Sequence, residues 1–385
     1  MKRFVVLFAL VAVGVGLLTA CGQDGADSDL KKDVVENYAS GVHHLYSTSL
    51  NSAIALDASI DRFVADPTPA HLEAAKRMWL HARDDYGPTE AFRFYDGPID
   101  HPDDGPEGLI NAWPLDEAYI DYVEGDPTAG IVNNPEEYPT IDADLLVSLN
   151  EVGGEANVST GWHAIEFLLW GQDLNSGGPG ARPVEDYTTN ANAERRAKYL
   201  AVASDVLVGH LQDMVKAWAP GVSGNYRAQF VSQNEDDALQ KIITGIGELS
   251  RGELAGERMT VAFEERSQED EHSCFSDNTT ADIVANALGI QIVFLGDYGG
   301  VSGPGIKDLI AAEDEDLADQ LESEIARSVN LANAIPDPFD QHLLEGVSDQ
   351  ATGRRAVLTT ITSLEDQTDT IVDAAQKIGI TISVS

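Results

Sequence analysis

Basic residues are scarce in this 385-residue chain. It has 24 lysines and arginines against 65 aspartates and glutamates, a formal net charge of −41. A surface of that sign repels phosphate backbones and anionic bilayers, which excludes nucleic acid and anionic membrane surfaces as ligands. The acids are spread along the whole chain, which reads first as a solvated surface suited to a salty medium. The other reading is that part of the excess concentrates cations around a binding site. Cysteine is nearly absent, with two in all, so no disulfide framework is available. Sustained period-2 alternation is missing too, which excludes core strands, and no apolar run is long enough to span a bilayer. The strings H-E-x-x-H, H-x-x-E-H and G-x-S-x-G do not occur, which removes the usual zinc-peptidase and serine-hydrolase signatures.

What is present begins with a leader. Lys2 and Arg3 precede an apolar run from Phe4 to Leu18, and Leu18-Thr19-Ala20-Cys21 closes it. Residues 1–21 therefore read as a secretion signal ending in a lipobox, with cleavage before Cys21 and a lipid on its sulfur. Residues 22–28 read as a polar tether. The absence of Asp after Cys21-Gly22 resembles the Gram-negative pattern for the inner leaflet of the outer membrane, a periplasm-facing site. With Cys21 lipidated, Cys274 has no disulfide partner; it reads as an inert thiol ahead of a soft metal ligand.

From Asp29 onward the periodicity is helical. Val35, Tyr38, Val42, Leu45, Leu56, Ile60 and Phe63 keep one apolar stripe, and Pro67-Thr68-Pro69 breaks it with a cap and a proline suited to a first turn. A helix to about Tyr86 follows, then loops from Asp100 to Tyr138 with a helical stretch at 114–123. The Gly- and Pro-rich stretch 172–186 is the expected boundary between an N-terminal bundle, 29–180, and a C-terminal bundle, 181–385. In the second half, helices are expected at 236–251, 253–265 and 283–295. Val357, Ile361, Leu364, Ile371, Ala375 and Ile378 mark a last helix with a bundle seam. The fold class is all-α, as two packed helical bundles. Glu90 with Arg93, and Glu257 with Arg258, hint at a duplicated unit whose spacings do not superpose closely.

The chemistry centres on Thr160-Gly161-Trp162-His163-Ala164-Ile165-Glu166-Phe167-Leu168-Leu169-Trp170-Gly171. Thr160 can cap the helix and Gly171 can end it with a positive φ. His163 and Glu166, three apart, share one face within an apolar jacket. Burying an imidazole and a carboxylate costs on the order of several kcal/mol unless each has a partner. A metal ion, an arginine, or each other can supply it. A mixed nitrogen and oxygen donor set suits zinc, iron or manganese. Further ligands are open among Glu90, Asp100, Asp116 and His43. A second group, Asp270, Glu271 and His272 beside Cys274, has suitable donors, although a solvated acidic loop is the first reading of it.

The string Gly161-x-His163-x-x-Glu166, together with the segment Thr89 to Asp100, resembles the imelysin (M75 peptidase-like) family and its iron-regulated protein A branch, over residues 30 to 380. The resemblance implies a paired helical-bundle fold in which the Glu90 segment faces the His/Glu helix. It favours Glu90 as the third ligand beside His163 and Glu166, with Gly161 and Arg93 in support. Arg93 has no lone pair to offer a metal; it would pair a carboxylate or hold an anion carried with the ion. The implied function is a lipid-anchored periplasmic protein that binds iron, zinc or another divalent metal, alone or as a chelate, in metal uptake or handling. The alternatives are a metallopeptidase using the same residues and a structural lipoprotein whose His/Glu pair is satisfied internally.

Overall fold

The computed structural model describes residues 23–175 and 177–384, with side chains from Ser28 onward. The leader, Cys21 and Gly22 lie outside the described residues. Among the described residues there is no strand, only two isolated bridges, and no helix is long and apolar enough to cross a membrane. The all-α expectation holds.

Helix α1, Gln23–Ala65, is a single rod. Residues 23–28, expected as a tether, continue it, because polar composition without a proline does not break a helix. Of the expected stripe, Val35, Tyr38, Val42, Leu56, Ile60 and Phe63 are buried, while Leu45 is half-buried and its neighbour Tyr46 takes the inward place. Thr68 caps α2, Pro69–Tyr86, by accepting the His71 N–H, and Pro69 occupies the first turn. A 3-10 turn, Gly87–Phe92, carries Glu90. Four short helices then punctuate the loops: α3 Glu107–Ile110, α4 Glu117–Ile120, α5 Gly130–Asn133 and α6 Ala143–Leu149. Next come α7, Gly161–Trp170, and α8, Ala193–Ala217, which packs on α1 and α7.

After α9, Tyr226–Phe230, the chain forms one uninterrupted helical run where two helices were expected. Helix α10, Glu235–Glu248, passes into a π-helical segment, Leu249–Val261, and on into α11, Ala262–Glu265. Gly252 does not stop the helix; wider i→i+5 winding carries the chain through. Helix α12 starts at Thr279 and runs to Leu295. Then follow α13, Ile306–Glu313, α14, Glu315–Ala332, and α15, Thr352–Lys377. The α15 seam of Val357, Ile361, Leu364, Ile371 and Ala375 is buried against α14 and the π segment.

What positions the site is the close approach of α12 to the 3-10 turn. A Cβ on Gly87 would lie 2.4 Å from the Ala285 methyl, and one on Gly289 would lie 2.7 Å from the Pro88 carbonyl oxygen. Backbone therefore packs directly on backbone where the first and second halves of the chain meet.

Candidate functional site

Helix α7 is buried along its entire length. Its entry depends on Gly161, whose φ is +85° and whose Cβ, if present, would sit 2.4 Å from the Ile110 carbonyl oxygen. Thr160 precedes the helix as expected but does not cap it; its hydroxyl donates to the Leu109 carbonyl at 3.0 Å. That bond ties α7 to α3 at the expense of a local cap. Gly171 ends the helix with φ +72°, its N–H donating to the Phe167 carbonyl at 2.7 Å.

Within α7, His163 Nδ1 lies 2.8 Å from Glu166 Oε2. The other carboxylate oxygen of Glu166 accepts from the Ser276 N–H at 2.9 Å and from the Ser276 hydroxyl at 2.7 Å. Glu166 is thus fully engaged, and it is also the contact that brings the 268–278 segment onto α7. His163 Nε2 is buried with no hydrogen-bond partner. Its ring stands 4.7 Å, centroid to centroid, from the ring of His272, whose Nε2 likewise has no hydrogen-bond partner among the described residues.

His272 is fixed from both sides. Its Nδ1 is 3.3 Å from Asp282 Oδ2 on α12, and the Trp113 ring packs edge-on at 5.4 Å. Trp113 is itself held by its indole N–H donating to the Glu271 carbonyl at 2.9 Å. Asp282 accepts from Arg83 Nε at 3.2 Å, from Asn278 at 3.2 Å and from the Ser273 hydroxyl. Arg83 also donates to Asn111 at 2.6 Å.

Burial dominates the electrostatics. It lowers His163 to about 3, with the positive charge of Arg83 adding to the effect. It raises Glu166 to about 8 against the opposing Ser276 hydrogen bonds. His272 is also pushed well below its ordinary range, by burial and by Arg258. Burial would raise Asp282, but Arg83 and the His272 and Ser273 contacts overcome it and hold the carboxylate far below the usual range. Both imidazoles are neutral at pH 7. The Nε2 lone pair of His163 is free in the tautomer that carries its proton on Nδ1. That tautomer needs Glu166 as a carboxylate, so metal binding at pH 7 would release the proton that burial keeps on Glu166. A carboxylate behind a histidine is the usual orienting arrangement for a metal ligand. The buried, unpartnered nitrogens of His163 and His272 are therefore a fit for a transition metal. Among the described residues no three His, Cys, Asp or Glu side chains together form a complete cage.

His272 opens on a cleft of about 320 Å³ that Trp113, Arg93, Arg258 and several glutamates also line. Its floor is an ion-pair network. Glu90 Oε2 accepts from Arg93 at 2.7 Å and also from Arg258, while Arg258 reaches Glu253 at 2.9 Å and Asn286 at 2.6 Å. Arg93 adds Glu107 at 3.2 Å. Burial would raise Glu90, yet Arg93 and Arg258 hold it well below the carboxylate range.

The structure sorts the residues singled out from sequence. His163, Glu166, Gly161 and His272 converge. Glu90, the expected third ligand, lies behind the cleft with its charge answered by two arginines, Arg93 and Arg258. Asp100 staples a loop, accepting from the N–H groups of Tyr95 and Gly97 at 3.1 and 2.7 Å and from that of Phe94. Asp116 caps α4 through the Ala118 N–H. His43, on α1 near Arg227, does not line the cleft. The solvated-loop reading of the second cluster is corrected: Glu271 and His272 are 0% and 2% exposed, because Ser276 docks the segment on Glu166. Asp270 stays half-exposed. Cys274 is free, and burial raises its thiol. Sequence reasoning missed Arg83, Asn111, Trp113, Ser276 and Asp282 as site residues; each reaches the site through a long-range contact with no local signature.

The model of the imelysin family, Peptidase M75, matches residues 42–371. The chain belongs to the imelysin family. It is 24% identical over 384 residues to an iron-regulated protein A of Synechococcus elongatus, covering 96% of this chain and 93% of that protein. Its fold matches two solved structures. One is an iron-regulated protein A precursor from Parabacteroides distasonis, with a TM-score of 0.72 at 19% identity over 91% of this chain and 95% of that one. The other is an imelysin-like protein from Psychrobacter arcticum, with a TM-score of 0.66 at 15% identity over 92% and 98%. In imelysin terms, the site described above joins the His/Glu helix to a histidine from the second half of the chain.

Proposed function

We propose that this imelysin binds iron or another divalent metal through the His163–His272 pair, as an exported, lipid-anchored protein of metal uptake or handling. One observation carries this reading: two neutral, fully buried imidazoles have their rings 4.7 Å apart, each with Nδ1 against a carboxylate and Nε2 without a hydrogen-bond partner. A buried nitrogen with nothing to bond is costly, and a metal ion is the partner that two imidazole lone pairs can share. Glu166 and Asp282 orient the two rings and are not ligands themselves. Iron is the first candidate because relatives carry the name iron-regulated protein A; zinc suits the same donors. Two nitrogens leave further coordination positions for water or for groups that travel with the cargo.

The test is metal content and thermal shift on the full chain, beside His163→Ala and His272→Ala. The expected result is close to one equivalent of metal in the wild type, a melting point that falls on chelation, and loss of both in each variant. A wild type that no divalent ion shifts, with variants that merely melt lower, would make the pair structural. The anchor is checked separately: Cys21→Ser should move the protein from the membrane to the soluble fraction.

A further inference from the structure

The cleft leading to the histidines contains arginines, and at first sight it suits an anionic chelate. Its contacts argue the opposite. Arg258 is 2% exposed and spends its guanidinium on Glu90, Glu253 and Asn286. Arg93 is spent on Glu90, Glu107 and Glu253, the last at 3.6 Å. Neither offers an open fork to an incoming carboxylate, catecholate or phosphate. Five carboxylates line the same cleft: Glu107, Glu151, Glu155, Glu253 and Glu257. Set against two guanidinium groups, they leave a formal charge of −3, with Glu90 behind them still to add. Glu151, Glu155 and Glu257 are exposed at the mouth, and among the described residues no salt bridge is found for them.

We infer that the cleft is a cation filter: it admits a bare hydrated divalent cation to His272 and His163 and rejects metal carried as an anionic chelate. This rests on the metal-binding reading above and adds the form in which the cargo arrives. A negatively lined concavity raises the local concentration of cations and lowers that of anions, and its effect weakens with salt. His272, almost fully buried, with its Nε2 unpartnered and its side chain lining the cleft, marks where the filtered ion would stop.

The experiment is calorimetric titration of the full chain with Mn2+, Zn2+ and, under anaerobic conditions, Fe2+, and separately with ferric citrate as the anionic probe. The same titrations are run on Glu151→Gln/Glu155→Gln/Glu257→Gln, whose exposed positions leave the arginine network intact, and on His163→Ala/His272→Ala. The inference expects the bare ions to bind and ferric citrate not to bind. It expects the triple glutamine variant to lose roughly 10-fold in affinity at low salt, a gap that closes as salt rises. Ferric citrate binding as tightly as the bare ions, or an unchanged triple variant, overturns the filter while the metal site stands. Bare ions that still bind the double histidine variant unchanged, or no binding of any probe, overturn the metal site itself and the filter with it.

Discussion

At the scale of single residues, the His163–Glu166 pair makes stability depend on pH in a way that can be worked out in sign. Glu166 is raised to about 8 from an ordinary 4.5, so between those values the folded state holds a proton that the unfolded state has released. Its contribution falls as pH rises through that window. His163 is lowered to about 3 from 6.5, so between those values the unfolded state holds the extra proton. Its contribution is lost as pH falls. The two effects oppose each other between 4.5 and 6.5 and leave Glu166 alone above 6.5. The metal-free protein should therefore lose stability from about pH 6.5 to pH 8, at up to about 1.4 kcal/mol per unit. Glu166→Gln, which is neutral at every pH, should make that decline shallower, the remainder coming from Glu271 and Asp277, which burial also raises. Urea unfolding at pH 6.5 and 8 checks it; an equal decline in the variant would assign the slope elsewhere. Gly161 gives a second prediction. With φ at +85° and the Ile110 carbonyl in the space a methyl would fill, Gly161→Ala should cost at least about 1–3 kcal/mol in backbone strain alone. Chemical denaturation reads it directly, and a neutral substitution would show that α7 can shift away from α3.

Elements show why the sequence revealed some of this architecture and hid the rest. The α1 stripe, the Thr68–Pro69 start of α2 and the α15 seam were legible because each is a local pattern: spacing, cap, proline. The run from α10 to α11 was read as two helices because Gly252 looks like a stop, and nothing local announces i→i+5 winding. His163 and Glu166 were found because they share one turn. Ser276 and Asp282 were not, and His272 stood out only as part of a separate cluster, since all three lie more than a hundred residues away and only tertiary packing joins them. The same packing turned an apparently solvated acidic segment into a buried wall. The π winding has its own consequence, since it sets Glu253 and Arg258, five apart, on one side at 2.9 Å. That leaves Arg258 free to reach Glu90 in the first half and Asn286 on α12. Arg258→Met should therefore destabilise the fold by about 3–5 kcal/mol, the usual cost of stranding a buried ion-pair partner. Arg258→Lys should recover only part of it, because one ammonium group cannot replace a fork that serves three acceptors. Thermal and urea unfolding of both variants give the comparison; a lysine variant as stable as wild type would mean that charge alone matters there.

Over the whole molecule, the scarce basic residues are not scattered against the acid excess. Arg83, Arg182, Arg196 and Arg258 are each at most 6% exposed and paired with Asp282, Asp121, Asp186 or Glu90. These four of the 24 basic residues are answered by four buried acids, so the interior pairs cancel and the formal excess of −41 stays with the rest of the chain. Self-repulsion of such a surface works against the compact state and is screened by salt, whereas buried pairs are screened much less. Raising NaCl from 0.1 to 1 M shortens the Debye length from about 10 Å to about 3 Å. The melting temperature should then rise by several degrees, most of it below about 0.5 M, where screening changes fastest. Choline chloride should do nearly as well as NaCl if screening is the cause, and sucrose at matched osmolality should reproduce little of the gain. The same salt should weaken the capture of cations at the cleft, so stability and affinity move in opposite directions along one titration. A melting point that is flat or falling with salt would mean that the acidic surface is already neutralised by bound cations, and the cleft's selectivity would then have to come from the histidines alone.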